Sequence, residues 1–213
     1  MLSQYLTVRP EVGEHEIIIQ KSRFIAHIKR AETEVEAQEF IQSLKKKYWD
    51  ATHNCSAYII GEHDQIQKAN DDGEPSGTAG VPILEVLKKK KLKDTVVVIT
   101  RYFGGIKLGA GGLIRAYGKA TSEGLDSAGI VERRLVQVIH VNIDYTFLGK
   151  VERELRDSEY IIKEIQYLDS VQLSVYVNED LVQMFCDWMV EMTNGKCEIK
   201  KGEVDYLEAD FLG

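Results

Sequence analysis

The spacing of apolar residues changes several times along this chain, and each change predicts an element. Ile17-Ile18-Ile19, followed by Phe24, Ala26 and Ile28 alternating with Ile25 and His27, reads as a strand hairpin. Val35, Phe40, Ile41, Leu44 and Tyr48 then fall at helical spacing across a charged stretch. That pattern predicts an amphipathic helix of about four turns whose apolar stripe packs on a sheet. Asn54 to Gly61 is strand-like, and Val96-Val97-Val98-Ile99 is a β-branched run suited to the middle of a sheet. Between them Ile83, Leu84 and Leu87 mark a helix. A further helix is expected to begin near Gly112, with Leu113, Ala116, Tyr117, Ala120 and Gly124 on one face and Gly129 as its stop.

From Leu135 the pattern restarts. Ile139, Val141 and Ile143 alternate, Leu148, Val151 and Leu155 are helical, and Val171, Leu173, Val175 and Val177 alternate again. Leu181, Val182, Phe185, Met189 and Met192 form a second helical stripe before a strand around Cys197 to Tyr206. The order βαββαβ is the ferredoxin-like plan. The chain is therefore expected to be α+β with two domains, residues 1–132 and 133–213, a size that suits two small cores.

Charge sharpens this division. Residues 1–132 hold 18 Lys/Arg and 18 Asp/Glu, and the remainder holds 9 and 16, so the net charge of -7 lies in the second part. A polyanion is repelled by that part on average, which directs any nucleic-acid contact to a local basic patch of the first. The amino terminus lacks a basic segment followed by an apolar stretch, and no long uncharged apolar run occurs. Cys55, Cys186 and Cys197 are odd in number and widely spaced, as reduced thiols would be. A soluble cytoplasmic protein without membrane contact is expected.

Two segments carry the candidate chemistry. The first, Asp71 to Gly80, combines Asp71, Asp72 and Glu74 with turn formers, and with Ser76 and Thr78 as possible caps of the next helix. Its carboxylates could instead hold a metal or a basic ligand. The second, Arg101 to Tyr117, includes Arg101, Tyr102, Gly104, Gly105, Lys107, Gly111, Gly112 and Arg115. Its glycines and the following helix N-terminus could cradle a phosphate, yet the Walker and dinucleotide-binding spacings are both absent, and close backbone packing explains the glycines as well. Arg115, placed in the first helical turn, would oppose the helix dipole and need compensation from Asp71, Asp72, Glu74 or an external anion, and Arg101 faces the same alternatives. The two segments are expected to meet through an internal ion pair rather than a ligand site. His53 and Cys55 share a strand face, where a core thiol beside a hydrogen-bonded histidine is favoured over a nucleophile. Lys88-Lys89-Lys90-Lys91-Leu92-Lys93 reads as a solvated helix end, with a phosphate-binding patch as its functional alternative. No cofactor or metal is implied.

Ala51-Thr52-His53-Asn54, then Asp71 to Leu84, then Arg101 to Tyr117 together resemble the signature of the IMPACT/YigZ family. The resemblance implies a first domain similar to domain IV of elongation factor G and to a ribosomal-protein fold. It implies a second domain similar to that factor's C-terminal domain. It points to a translation-associated regulatory or binding protein, with RNA, the ribosome, a translation factor or another protein as partner. It supplies no catalytic residues, and leaves an enzyme acting on a nucleotide or phosphorylated small molecule as the alternative.

Overall fold

The computed structural model describes residues 1–211. Strand β1 (Gln4–Val8) precedes a hairpin of β2 (Gly13–Ile19) and β3 (Ser22–Arg30). Ile19 pairs with Ser22, and the two turn residues, Gln20 and Lys21, take φ of 44° and 64°. Positive φ at both positions gives the turn the twist that a two-residue hairpin requires, here without glycine. Helix α1 (Glu34–Lys47) opens on Thr33, whose side chain accepts the Glu36 N–H, and closes on Lys45, Lys46 and Lys47, cations that complement the dipole. It buries Ala37, Phe40, Ile41 and Leu44. Val35, assigned to that stripe by spacing, is exposed, because it sits two residues from Ala37 and so faces elsewhere.

The chain continues through β4 (His53–Ile60), β5 (Ile66–Asn70), α2 (Gly80–Lys89), β6 (Thr95–Tyr102) and α3 (Gly109–Ala128). The sheet order is β2-β3-β6-β4-β5, and its neighbours run antiparallel. Both faces are covered, which explains the continuous β-branched run of β6. Val96 and Val98 join Phe40, Ile41 and Leu44 of α1. Val97 and Ile99 point the other way, to Ile83 and Leu87 of α2 and to Leu113, Ala116 and Leu125 of α3. Helix α3 lies directly on β3: a Cβ at Gly124 would come within 2.6 Å of Ala26 Cβ.

The second repeat of the pattern forms β7 (Ile130–Ile143), α4 (Tyr145–Arg156), β8 (Ile161–Tyr167), β9 (Val171–Asn178), α5 (Val182–Met192) and β10 (Cys197–Asp210). β9 pairs antiparallel with both β7 and β8, and β10 pairs with β7. The core beneath this sheet is Ile139, Val141, Leu173 and Val175 against Val151 and Leu155 of α4 and Phe185 and Met189 of α5. Two compact units result, Met1–Arg133 with residues 209–211, and Arg134–Glu208. The protein is α+β with two domains. Among the described residues, no helix is long and apolar enough to cross a membrane.

Candidate functional site

The loop after β5 is organised by carboxylates that each find a protein partner. The Asp71 side chain accepts N–H bonds from Gly77 (2.8 Å), Ala79 (3.1 Å) and Gly80 (2.8 Å). It thereby caps α2 from outside, a role that spacing alone assigned to Ser76 or Thr78. Thr78 instead donates to the Pro75 carbonyl at 2.6 Å, and Ser76 is exposed. Burial pushes the Asp71 carboxyl up, but the three N–H donors outweigh it and hold the group below its ordinary value of 3.8. With the folded value depressed, the stability it contributes is present above the unfolded value and is lost as pH falls through the folded one. Asp71→Ala should therefore cost about 0.5–2 kcal/mol at neutral pH in urea unfolding, with the gap to wild type closing in acid. Asp72 accepts the Asn54 N–H at 2.6 Å and the Lys45 ammonium.

Glu74 is the point where the two sequence segments meet. Its Oε1 accepts from Arg101 Nη1 and, at 2.8 Å, from the Tyr117 hydroxyl. The Glu74 and Arg101 side chains are only 3% and 6% exposed. Its Oε2 lies 3.8 Å from His53 Nε2, while His53 Nδ1 lies 2.8 Å from the Asp72 carbonyl oxygen. The partner of Glu74 is Arg101, not Arg115. Helix α3 begins at Gly109, which puts Arg115 in its second turn, exposed and beyond the strongest part of the dipole.

Cys55 completes the buried cluster, with Sγ 3.0 Å from the Asp71 carbonyl oxygen and 3.3 Å from the Tyr117 hydroxyl oxygen. Burial pushes its thiol up to about 12 and Glu74, Asp72 and Asp71 add to the rise, against a lowering by the Tyr117 hydrogen bond. A protonated, fully buried thiol is not a nucleophile at neutral pH. Native protein should therefore show Cys55 resistant to iodoacetamide, with labelling appearing on denaturation; rapid native labelling would contradict this geometry.

From β6 the glycine-rich segment turns over the cluster. Gly104 N–H donates to Ser22 Oγ at 3.1 Å, and Phe103 N–H to Thr52 Oγ1 at 3.0 Å. Tyr102 points away, donating to Asp50 at 3.0 Å. Gly105 takes φ of +89° with open space beside it. A pocket of about 460 Å³ opens here, with His53, Glu74 and Arg101 in its wall, Phe103 and Leu113 as apolar sides, and Lys107 and Gly109 at the start of α3. No side chain caps the N-terminus of α3 and its first turn holds no acid.

The structure thus gathers His53, Glu74, Arg101 and Lys107 around one pocket. Gly104 and Gly105 belong to the segment that turns over it, and Gly111, Gly112 and Arg115 to α3. Asp71 and Thr78 serve the structure of the loop and the start of α2, and Asp72 ties the loop to β4 and α1. Among the described residues no group of three or more His, Cys, Asp or Glu side chains could hold a metal ion. The lysine run is largely committed: Lys88 pairs with Glu85, Lys90 with Asp126 and Lys93 with Asp64. Tyr117, Thr52, Phe103 and Leu108 were not singled out as site residues by sequence, since nothing local marks a tyrosine whose acceptor lies 43 residues away.

Comparison with known proteins identifies the family of both domains. The Impact N-terminal domain matches residues 20–125, and a domain of unknown function (DUF1949) matches residues 141–196. The chain is 65% identical over 208 residues to the IMPACT family member YvyE of Bacillus subtilis, covering 98% of this chain and 95% of that protein. It is 31% identical over 183 residues to the IMPACT family member YigZ of Escherichia coli, covering 85% and 90% respectively. A solved structure described as a hypothetical protein superposes with a TM-score of 0.60 at 28% identity, over 95% of this chain and 99% of that one. With a close relative matched along nearly its whole length and both domains accounted for, the chain belongs to the IMPACT family.

Proposed function

We propose that this protein is a cytoplasmic, non-enzymatic factor associated with translation that contacts RNA, on the ribosome, through its first domain. The observation that carries the reading is the surface formed by residues 102–115. Phe103, Ile106 and Ile114 are exposed there, beside Lys107 and Arg115, which are both exposed. Neither cation forms an ion pair among the described residues. Cations next to exposed apolar and aromatic side chains suit a backbone phosphate with an adjacent unstacked base. The acidic balance of the second part, 9 Lys/Arg against 16 Asp/Glu, supports placing the contact on the first.

Co-sedimentation with ribosomes at low and moderate salt tests this. Association at low salt that falls steeply with ionic strength is expected, and Lys107→Ala and Arg115→Ala should each lower the salt slope by about 1. No association at either salt concentration would overturn the reading. A second reading, an enzyme acting on a nucleotide or phosphorylated small molecule, is favoured by one observation, the placement of His53 and Glu74 in the wall of a concave pocket. Turnover of such a compound that is lost in His53→Ala would establish it.

A further inference from the structure

We infer that Trp49 is a stacking platform for an unpaired base of single-stranded RNA, with Lys21, Lys46 and Lys47 as donors to the flanking phosphates. The inference rests on the reading of the first domain as an RNA-contacting surface and names the form of RNA that this surface takes. Trp49 is 82% exposed, and among the described residues no other ring or cation covers its indole. The neighbouring rings are each covered. Lys47 Nζ lies 4.9 Å from the centre of the Tyr48 ring, the Arg23 guanidinium 5.3 Å from that of Tyr102, and the Arg101 guanidinium 5.5 Å from that of Phe103.

The fold brings three chain segments to the same end of the sheet. Arg23 of β3 pairs with Tyr102 of β6, and His53 of β4 pairs with Arg101 of β6. The β2–β3 turn, with Lys21, and the turn that joins α1 to β4, with Trp49, therefore flank residues 102–104 on either side. Two strand spacings separate them, about 10 Å. The Trp49 turn is fixed rather than loose. Ala51 N–H donates to the Tyr48 carbonyl at 3.1 Å and Thr52 N–H to the Arg101 carbonyl at 2.9 Å. Thr52 Oγ1 accepts the Phe103 N–H at 3.0 Å, and Asp50 accepts the Tyr102 hydroxyl at 3.0 Å. An exposed indole on a turn held by four hydrogen bonds loses little freedom when a ligand stacks on it.

Charge decides what the surface takes. Residues 20–23, 45–50 and 102–107 hold six cations and one acid, Asp50. Arg23 is matched by Glu16 and Lys45 by Asp72. Lys21, Lys46, Lys47 and Lys107 are exposed, and none forms an ion pair among the described residues. A free ring among uncommitted ammonium groups suits the flat face of a base together with the phosphates on either side of it. In a duplex both faces of each base are already stacked, so the ring selects an unpaired base. An acidic protein segment would engage the lysines and leave the indole unused.

Titration of the full chain at low salt with a short labelled oligouridylate, an RNA duplex of the same length and polyglutamate tests the platform. Anisotropy of the label reads affinity, competition reads polyglutamate, and tryptophan fluorescence reads stacking. Of the two tryptophans, Trp188 packs on Tyr160 and Phe185, so quenching by the single strand is expected from Trp49. Trp49→Ala should weaken oligouridylate binding about five- to 150-fold, the range of base–aromatic stacking. Its thermal midpoint should not move, because so exposed a ring contributes little packing, and Trp49→Phe should keep most of the affinity. Lys46→Ala should lower the salt slope by about 0.7. Duplex binding as tight as that of the single strand, or a Trp49→Ala protein that binds like wild type, would overturn the inference. So would polyglutamate that binds as tightly as the oligouridylate, which would assign the lysines to an acidic protein. Ribosome co-sedimentation that persists while oligouridylate neither binds nor quenches would overturn the platform and spare the ribosome reading. Trp49-dependent oligouridylate binding without co-sedimentation would uphold the platform and sink that reading.

Discussion

Glu74→Ala is expected to destabilise the first domain by about 3–5 kcal/mol, because it strands a buried guanidinium whose compensating charge has been removed. Arg101 keeps a single hydrogen-bond acceptor, the Ser22 hydroxyl 3.4 Å away, besides its contacts with the Phe24 and Phe103 rings. The Tyr117 hydroxyl, on a side chain with no exposure, loses its carboxylate acceptor. Glu74→Gln should lose less, since an amide oxygen can still accept from both donors. Replacing both partners, as in Glu74→Leu with Arg101→Met, should recover much of the loss, because apolar groups of similar volume carry no desolvation penalty. Urea unfolding followed by far-UV circular dichroism measures all three. A Glu74→Ala loss below about 1 kcal/mol, the range of surface ion pairs, would show that the pair is solvated.

The value of that experiment is that neither partner choice was legible in the sequence. Acids in one segment and arginines in the other pointed to an ion pair between them, but Glu74 and Arg101 are 27 residues apart and Arg115 was an equal candidate. Arg115 would oppose the dipole only in a helix that starts near Gly112, where the apolar spacing puts the start, and α3 starts three residues earlier. Three glycines within the first four residues of α3 weaken any local signal that the helix begins at Gly109, and the leucine and alanine face packed on the sheet sets the start instead. Elements with a covered face were readable: β3, β6, β9 and all five helices announce themselves through periodicity. β1 and β5 did not. β5 carries Ile66 and Ala69 as its only apolar residues at a sheet edge and is exposed from Gln67 to Asn70, so no alternation had to be kept. The Asp71 cap was invisible for another reason. The N–H groups it accepts lie six to nine residues onward, outside the three-residue reach of ordinary capping patterns.

Gly104 and Gly111 sit in opposite surroundings, and substituting them should give effects of opposite sign. A Cβ at Gly104 would lie 2.0 Å from the Lys21 carbonyl oxygen and 2.5 Å from the Ser22 nitrogen. Those atoms belong to the β2–β3 turn, held by its register and by two residues already at positive φ, so they cannot retreat cheaply. Gly104→Ala must instead lift the 103–105 backbone, breaking the Gly104 N–H bond to Ser22 and shifting Phe103 in the pocket wall. A loss of about 1–3 kcal/mol, at the upper end because the clash is with backbone, is expected. At Gly111 the nearest atom to a new Cβ is Arg115 Nη1 at 3.9 Å. Gly111→Ala should raise stability by up to about 0.5–1 kcal/mol through helix propensity alone. Thermal and urea midpoints of the two variants decide the matter, and equal destabilisation would mean that both glycines are packing residues. Gly104 is thus explained by the hairpin turn beneath it, whereas nothing packed near position 111 requires a glycine there.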